Sequence, residues 1–351
     1  MEAEKPKVWE WAYAALARFA DERDSLVVTP TSLAVPAEVR DEFYALVYEV
    51  QRQLALEVLG EEVGRATEMA VRCSRMRSRL LDASGLAAFR LAPTLESFLS
   101  DPEAAVAKPA FGIVLDGLQG GSAVSEMEDR ARREIPVFFE SLVRAAYEAW
   151  AYYGIVVALE PVKFYRVFSP DTVEVAALET DEITVGTQVT SPERRIPEAV
   201  FETRDGSLFA MKSEAARELD YYGIKIQRRR DLSAGGNTAG LLAHRVLLLY
   251  RLADLENVGV VADRERLHLV PNDLLCEVLL PREMECPAYV SAFVERACAV
   301  RSRRPVQVLT RDDQGAFPEG MLEDEAVVPI ERSVIGFDEA ALARIAALLE
   351  D

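Results

Sequence analysis

Histidine, which many catalytic and metal sites use, is scarce in this chain. The 351 residues include only two histidines, His244 and His268, and neither has a second histidine at metal-binding spacing. A histidine-rich metal site is therefore excluded, while a carboxylate site for Mg²⁺ or Mn²⁺ remains open. His268 precedes Asp273 and Glu277, and this order allows a general base with an orienting carboxylate. An ordinary strand histidine explains the same pattern.

Cysteine is also scarce, and its spacing is uninformative. No Cys-x-x-Cys pair occurs, which excludes the usual zinc spacing and disfavours a disulfide framework. The sequence shows no histidine partner for any thiol, so a cysteine nucleophile has no support. We expect reduced, buried thiols at all four positions, which are Cys73, Cys276, Cys286 and Cys298.

Two common hydrolase patterns are missing. A Gly-x-Ser-x-Gly elbow fails at Val124, the last position of the run Gly120–Val124. No Asp/Glu-x-Lys triplet exists, and the nearest approach is Ala210-Met211-Lys212, downstream of Asp205. A nuclease site with a carboxylate two residues before a lysine is disfavoured, although a carboxylate from elsewhere could replace the missing one.

Long apolar runs are absent too, although 50% of the residues are hydrophobic. No run reaches the ~18 residues of a membrane span, and the charged N-terminus differs from a secretory signal. We expect a cytoplasmic protein without a membrane partner. The formal net charge is −19, with −8 in residues 1–150 and −11 in residues 151–351. Such a field repels polyanions at long range, so any contact with one has to be local.

The first half has the spacing of helices. Residues 8–23 carry a stripe of Trp9, Tyr13, Leu16 and Phe19-Ala20, a second helix ends at Gly60, and a third spans about 61–81. The third helix carries an arginine stripe that could bind a polyanion. The alternative is a solvated face paired with Glu61, Glu62 and Glu68. The stripe consists of Arg65, Arg72, Arg75 and Arg79.

Residues 86–108 predict short helices, and Phe111–Leu115 predicts a strand. The glycine-rich turn Asp116–Ser122 then leads into a helix, an arrangement that can hold phosphate. A capping box of Ser125 and Glu128 would occupy the same helix end, which disfavours phosphate there. We expect this helix to kink or restart at Pro136 and to end at Gly154.

The second half alternates short β-rich runs with turn residues, as an antiparallel meander does. The predicted strands are Ile155–Leu159, Phe164–Phe168, Thr172–Val175, Ile183–Val185, Ala199–Thr203 and Leu208–Lys212. After them we expect a central buried helix over about 238–256, apolar on nearly every side. The remaining predictions are a hairpin over 258–270, a helix over 288–300, a strand over 305–309 and a final helix capped by Asp338.

These patterns predict an α+β fold. A mainly helical region spans residues 1–153, and an α+β region with a mixed, largely antiparallel sheet and packed helices spans 154–351.

One stretch combines basic charge with backbone freedom. Three arginines and a glycine-rich run precede an apolar segment, and guanidinium groups beside a helix N-terminus can hold phosphate. The alternative is a solvated loop whose arginines pair with nearby acids. The predicted ligand-binding residues are Arg228, Arg229, Arg230, Gly235, Gly236, Asn237 and Thr238.

Two functions follow from these observations. The first is a non-catalytic assembly or adaptor protein that binds a protein partner through its helical region, because no catalytic constellation is recognisable. The second is a protein, either a binding protein or an enzyme, that handles a phosphorylated ligand or a nucleic acid through residues 228–238. The sequence leaves any cofactor unknown and assigns no individual residue as a metal ligand.

Overall fold

The protein has an α+β fold, with a helical N-terminal region followed by a large, mostly antiparallel mixed sheet. It is known from a computed structural model. The structure describes residues 7–120, 122–168, 175–185, 197–213, 246–259, 271–300, 302–320 and 329–350.

The first part of the chain is built from helices and short strands. The helices are α1 (Val8–Asp21), α2 (Arg40–Leu59), α3 (Glu62–Ser84), α4 (Pro93–Ser100), α5 (Pro102–Ala107), α6 (Ala110–Leu118) and α7 (Val124–Ala158). The strands are β1 (Val27–Thr29), β2 (Ser32–Ala34) and β3 (Ala88–Arg90).

The chain divides into two compact units. The first, the helical unit, is Met1–Val71 with Ser97–Arg144, and the second, the sheet unit, is Arg72–Glu96 with Ala145–Asp351. The predicted division at residue 153 was drawn from composition, and it stays a prediction.

The core of the helical unit forms where α1 packs on α2. Leu16 and Phe19 of α1 are buried against Phe43 and Val47 of α2, and Val114 of α6 joins them. The apolar spacing predicted for α1 and α2 therefore does face inward.

The sheet unit contains an eight-stranded sheet. Its order is β12-β11-β10-β9-β8-β7-β4-β5, with parallel pairing between β10, β11 and β12 and antiparallel pairing elsewhere. The strands are β4 (Pro161–Phe168), β5 (Ala176–Thr180), β7 (Ala199–Thr203), β8 (Leu208–Ser213), β9 (Val246–Leu252), β10 (Leu274–Val278), β11 (Val306–Thr310) and β12 (Ile330–Val334). A separate strand, β6 (Glu182–Thr184), pairs with β3.

Helices cover this sheet within the same unit. On one face, Val200, Leu248 and Val308 form a core with Met284 of α8 (Pro281–Met284) and Phe293 of α9 (Pro287–Val300). On the other face, the C-terminal part of α7 reaches the strands: the hydroxyl oxygen of Tyr152 accepts a hydrogen bond from Val278 N at 3.3 Å. The last helix, α10 (Glu339–Ala346), is capped by Asp338, as predicted.

Two predicted strands proved wrong because they are helical. Phe111–Leu115 lies inside α6, and Ile155 to Ala158 continue α7. Neither Pro136 nor Gly154 ends α7. Gly154 allows α10 to pack closely on α7. A Cβ at this position would lie 2.4 Å from Leu342 Cδ1.

The predicted helix over 238–256 is also wrong in its described part. Residues 246–252 form β9, which lies between β8 and β10, and six of its seven residues are buried. A strand buried on both faces has an unbroken apolar run, which resembles a buried helix in sequence. The predicted hairpin fails at its start, where Val258 and Gly259 are helical; residues 260–270 lie outside the described part.

Candidate functional site

The predicted anion-binding stretch lies outside the described residues. Arg228, Arg229, Arg230, Gly235, Gly236, Asn237 and Thr238 all belong to residues 214–245, as does His244, and His268 lies in another gap. The flanking strands are described: Ser213, at the end of β8, pairs with Leu247 of β9. The prediction for residues 228–238 is therefore neither confirmed nor contradicted.

The described residues before the glycine-rich turn do not form the strand of a strand–turn–helix phosphate site. The residues before it are helical, and α7 starts at Val124 instead of after Ser125. The helix end is closed by Glu126, whose Oε2 accepts a hydrogen bond from Ala123 N at 3.1 Å. The predicted capping box with Glu128 is wrong, because that carboxylate binds Lys7 and Arg132.

The arginine stripe on α3 is largely engaged by the protein itself. Arg65 pairs with Glu62, and Arg79 pairs with Glu339. The guanidinium of Arg72 lies 4.2 Å from the ring centroid of Phe337. These contacts favour the solvated, internally paired face over the polyanion site.

Asp205 and Lys212 do not meet. The carboxylate of Asp205 is bound within the β7–β8 turn, where it accepts hydrogen bonds from Thr203 Oγ1 and from Ser207 N at 3.0 Å. The hydrogen bond from Thr203 lowers the pKa of Asp205 most. Lys212 lies seven residues after Asp205, near the far end of β8, and seven residues of extended strand span roughly 23 Å. A nuclease site built on this pair is excluded.

The acids that follow His268 in sequence also have structural partners. Asp273 accepts hydrogen bonds from Arg251 N at 2.6 Å and from Arg303 Nη1 at 3.1 Å. Glu277 is buried on β10, and Tyr289 donates to its Oε1 at 3.4 Å.

The thiols were predicted to be buried, and two of them are. Burial raises the pKa of Cys73 to about 12 and raises that of Cys276 as well, so neither is a nucleophile at neutral pH. Cys286 is exposed, which contradicts the prediction, because it lies in the short junction between α8 and α9. The side chain of Cys298 lies outside the described part.

Charged groups are buried at one end of the sheet. Glu198 at the start of β7 and Lys212 at the end of β8 are both buried, and Ser213 N donates to Glu198 Oε2 at 3.0 Å. Tyr153 OH lies 3.4 Å from Ser213 Oγ. Desolvation raises the pKa of Tyr153, and the nearby charge of Glu198 raises it further. These groups all have partners, so they form a structural network.

The clearest unexplained feature is an apolar surface on α1. Trp11 is 66% exposed and Val8 is 65% exposed, although both are large hydrophobic residues. At 100° per residue, Ala14, Ala15 and Arg18 share their side of the helix, and all three are exposed. We call these five residues the Trp11 face.

The Trp11 face points outward because the opposite side of α1 is fixed. Trp9, Leu16 and Phe19 are buried, and Trp9 has no exposed surface at all. Tyr13 also points inward, since its hydroxyl would lie 2.9 Å from a Cβ at Gly117. The helix cannot roll to bury Trp11 without exposing Trp9.

An ion network holds the start of α1. Lys7 Nζ donates to Glu128 Oε1 of α7 at 2.5 Å and lies 3.6 Å from Glu57 Oε1. Arg132 binds the same oxygen of Glu128. The hydrogen bond from Lys7 lowers the pKa of Glu128 most, and Glu128 raises that of Lys7. The Trp11 face is thus presented on an anchored helix.

Sequence reasoning missed this face because it followed only the inward stripe. The signal was available: residues 8–20 include only two charged residues, Glu10 and Arg18, so the helix is apolar nearly all round. Such a helix is normally buried on every side.

No protein-family model, curated protein or solved structure matches this chain. Within the described ranges, no helix has the length and apolar character to cross a bilayer. Nor do three His, Cys, Asp or Glu side chains of the described part gather where they could hold a metal ion.

Proposed function

We propose that the protein is a non-catalytic assembly or adaptor protein whose helical unit binds a partner protein through the Trp11 face. The observation that carries this proposal is the exposure of Trp11 on a helix whose other side is fully packed. Tryptophan is enriched among the residues that dominate binding energy at protein interfaces.

The composition of the face defines its partner. Trp11 and Val8 project from the helix, while Ala14 and Ala15 leave room for close approach of a second backbone. Arg18 adds one positive charge at the end of the face. The fitting partner offers an apolar groove that takes an indole ring, with a carboxylate beside Arg18.

The non-catalytic part of the proposal is supported by the carboxylates singled out as candidate acids or bases. Asp205 is bound in a hairpin turn, and Asp273 is bound by Arg251 and Arg303. Both have structural roles that a substrate would have to disrupt.

The test is photo-crosslinking in the native host, with a benzophenone amino acid in place of Trp11. We expect one discrete crosslinked partner, and Trp11→Ser should weaken binding of that partner by at least about 30-fold, as for an interface hot spot. The affinity of the purified pair is measured by titration calorimetry.

The matched control is Tyr44→Ser, which removes another exposed aromatic residue, 42% exposed on α2. This variant should bind the partner as the wild type does. If the two variants bind equally well, or if the crosslinker at position 11 captures nothing discrete, the Trp11 face is not a binding site.

A second function, binding of a phosphorylated ligand or nucleic acid through residues 228–238, also stays a proposal. It rests on the three arginines and the glycine-rich run of the sequence, whose flanks Ser213 and Leu247 pair between β8 and β9. The variant with Arg228, Arg229 and Arg230 all changed to Gln tests it, with pyrophosphate and a single-stranded oligonucleotide as probes. Unaltered binding of both probes would reject this function.

A further inference from the structure

The large sheet of the sheet unit ends in strand β5. Within the described ranges, β5 pairs with β4 alone, so one row of its backbone N–H and C=O groups faces away from the sheet. No backbone hydrogen bond among the described residues joins this outer side of Ala176–Thr180 to another segment. Such a row is a ready template for one more extended strand.

One face of β5 is also left in solvent. Phe164 of β4 and Phe201 of β7 lie on this face with ring centroids 5.7 Å apart, and both are buried. Leu178 shares the face, because Thr180, two residues further on, is the partner of Phe164. Yet Leu178 is 59% exposed, and Phe168 on the same face is 36% exposed. The cover of this face therefore stops before the edge of the sheet.

The neighbours of Leu178 leave its outer side accessible. Arg166 is its partner on β4, but the guanidinium lies over the ring of Phe168, 4.8 Å from the ring centroid. Glu179, the one charged residue of Ala176–Thr180, points to the opposite face of the strand. There its Oε2 lies 3.8 Å from Lys163 Nζ. The centre of the edge thus presents an apolar side chain.

The other edge of the sheet, strand β12, has charges at its centre. Glu331 accepts a hydrogen bond from Gln307, and Arg332 donates to carbonyls of residues 312–315. Charged residues in an edge strand oppose the addition of a further strand. Of the two edges, β5 is therefore the one suited to strand addition.

We propose that β5 pairs with β5 of a second copy of this chain, in antiparallel orientation about a two-fold axis at Leu178. In this register all five residues have a partner, and the two Leu178 side chains lie directly opposite each other. Glu179 of each copy lies opposite Ala177 of the other, so no like charges are directly opposed. The sequence of the strand is thus complementary to itself.

The proposed contact closes at two copies. It uses the same edge of both chains, so the pairing leaves no free β5 edge for a third. It also belongs to the sheet unit, whereas the Trp11 face belongs to the helical unit. The dimer therefore stands independently of the partner proposed for the Trp11 face.

The first experiment is sedimentation velocity of the full chain over about 1 µM to about 200 µM, a range chosen for a weak complex. A pairing of five residues per copy buries less than a standard interface of about 1,600 Å². We therefore expect a dimer that dissociates on dilution. A chain that is monomeric at every concentration would overturn the proposal.

The variant that tests the register is Leu178→Lys, at an exposed position where folding should not suffer. It places two ammonium groups opposite each other at the two-fold axis, so the dissociation constant of the dimer should rise at least about tenfold. The matched control is Val334→Lys on β12, where the valine is 50% exposed, and it should dimerise as the wild type does. Circular dichroism checks that both variants are folded.

A crosslink locates the contact directly. Residues directly opposite each other in antiparallel strands have Cβ atoms about 4.5–5.5 Å apart, which is close to the reach of a disulfide. In a Cys286→Ser background, Leu178→Cys should give a covalent dimer on mild oxidation, and Val334→Cys should not.

Three further results would contradict the proposal. One is an unchanged dissociation constant in the folded Leu178→Lys variant. Another is no more covalent dimer with Leu178→Cys than with Val334→Cys. The third is a dimer that Trp11→Ser abolishes and Leu178→Lys leaves intact, which would assign self-association to the Trp11 face.

Discussion

The usual rule of apolar inside and polar outside is broken in opposite ways by Trp11 of the helical unit and by three charged residues of the sheet unit. The helical unit leaves Trp11 in solvent, while the sheet unit encloses Lys212, Glu198 and Glu277. A partner that covers apolar surface removes it from water, which contributes roughly 25 cal/mol per Å² to the free energy of binding. Enclosed charges are tolerated only with partners, which these three have. The exposed Trp11 therefore supports the proposed partner surface, whereas the three buried charges belong to internal contacts.

Two tryptophans on α1 test this contrast within one helix. Trp9→Ala should destabilise the protein by about 3–5 kcal/mol, because it empties a fully packed site, while Trp11→Ala should change stability by less than about 0.5 kcal/mol. The measurement is chemical denaturation followed by circular dichroism. Trp9→Phe is the control for size, and it should cost less than Trp9→Ala, since the indole Nε1 of Trp9 is buried without a hydrogen bond. Equal losses at positions 9 and 11 would mean that the Trp11 face is structural.

The sequence predicted the helices that have one apolar stripe. In α1 the predicted stripe faces inward, with Trp9, Leu16 and Phe19 buried and Tyr13 and Ala20 half-buried, because period and burial coincide when a helix lies on a surface. Prediction from the sequence failed for β9, a strand that is buried on both of its faces. Val246–Leu252 has no periodic contrast, and neighbouring strands decide its conformation.

Gly154 shows a second limit of sequence reasoning. A glycine after a helical pattern commonly marks its end, and the β-branched residues that follow strengthened that expectation. Instead, Gly154 lies where a Cβ would meet the side chain of Leu342, almost two hundred residues away. The spacing of residues close to Gly154 in the sequence cannot reveal a contact with a residue so far along the chain.

The Trp11 face and a small cleft of the sheet unit were hidden for different reasons. The Trp11 face was visible in the composition of residues 8–20, but it was masked by the stronger inward stripe. The small cleft, lined by Gln307 of β11 and Glu331 of β12, depends on the parallel pairing of these two strands. No spacing in the sequence encodes that pairing.

A smaller loss of stability is expected from a change at Arg332, whose side chain holds a loop of the sheet unit. Arg332 of β12 donates to the carbonyls of Gly315 at 2.7 Å, Gln314 at 2.9 Å and Asp312 at 3.1 Å. Arg332→Lys should cost about 1–2 kcal/mol, because an ammonium cannot match the spread of a guanidinium and water replaces part of the loss. Thermal denaturation measures it, with Arg75→Lys as the exposed control. A loss no larger than that of the control would mean that this loop is not held by Arg332.

The smallest expected effect concerns the network that anchors α1. The pKa of Glu128 is lowered in the folded protein, chiefly by Lys7, so its contribution is complete above the unfolded pKa of about 4.3 and is lost as pH falls through the folded value. The pKa of Lys7 is raised, so its share persists at neutral pH and is lost only as pH rises through the folded value, above about 10.4.

Glu128→Gln should therefore reduce stability by less than about 1 kcal/mol at pH 7, since the pairs are partly solvated, and the difference should shrink below about pH 4. Denaturation curves at pH 7 and pH 3 measure it, and Glu38→Gln, at an exposed position, should show no such dependence on pH. A gap that stays constant between the two pH values would assign the loss to packing of the Glu128 side chain. The ion pairs would then not be what anchors α1, and the rigidity of the Trp11 face would rest on the buried stripe of Trp9, Leu16 and Phe19 alone.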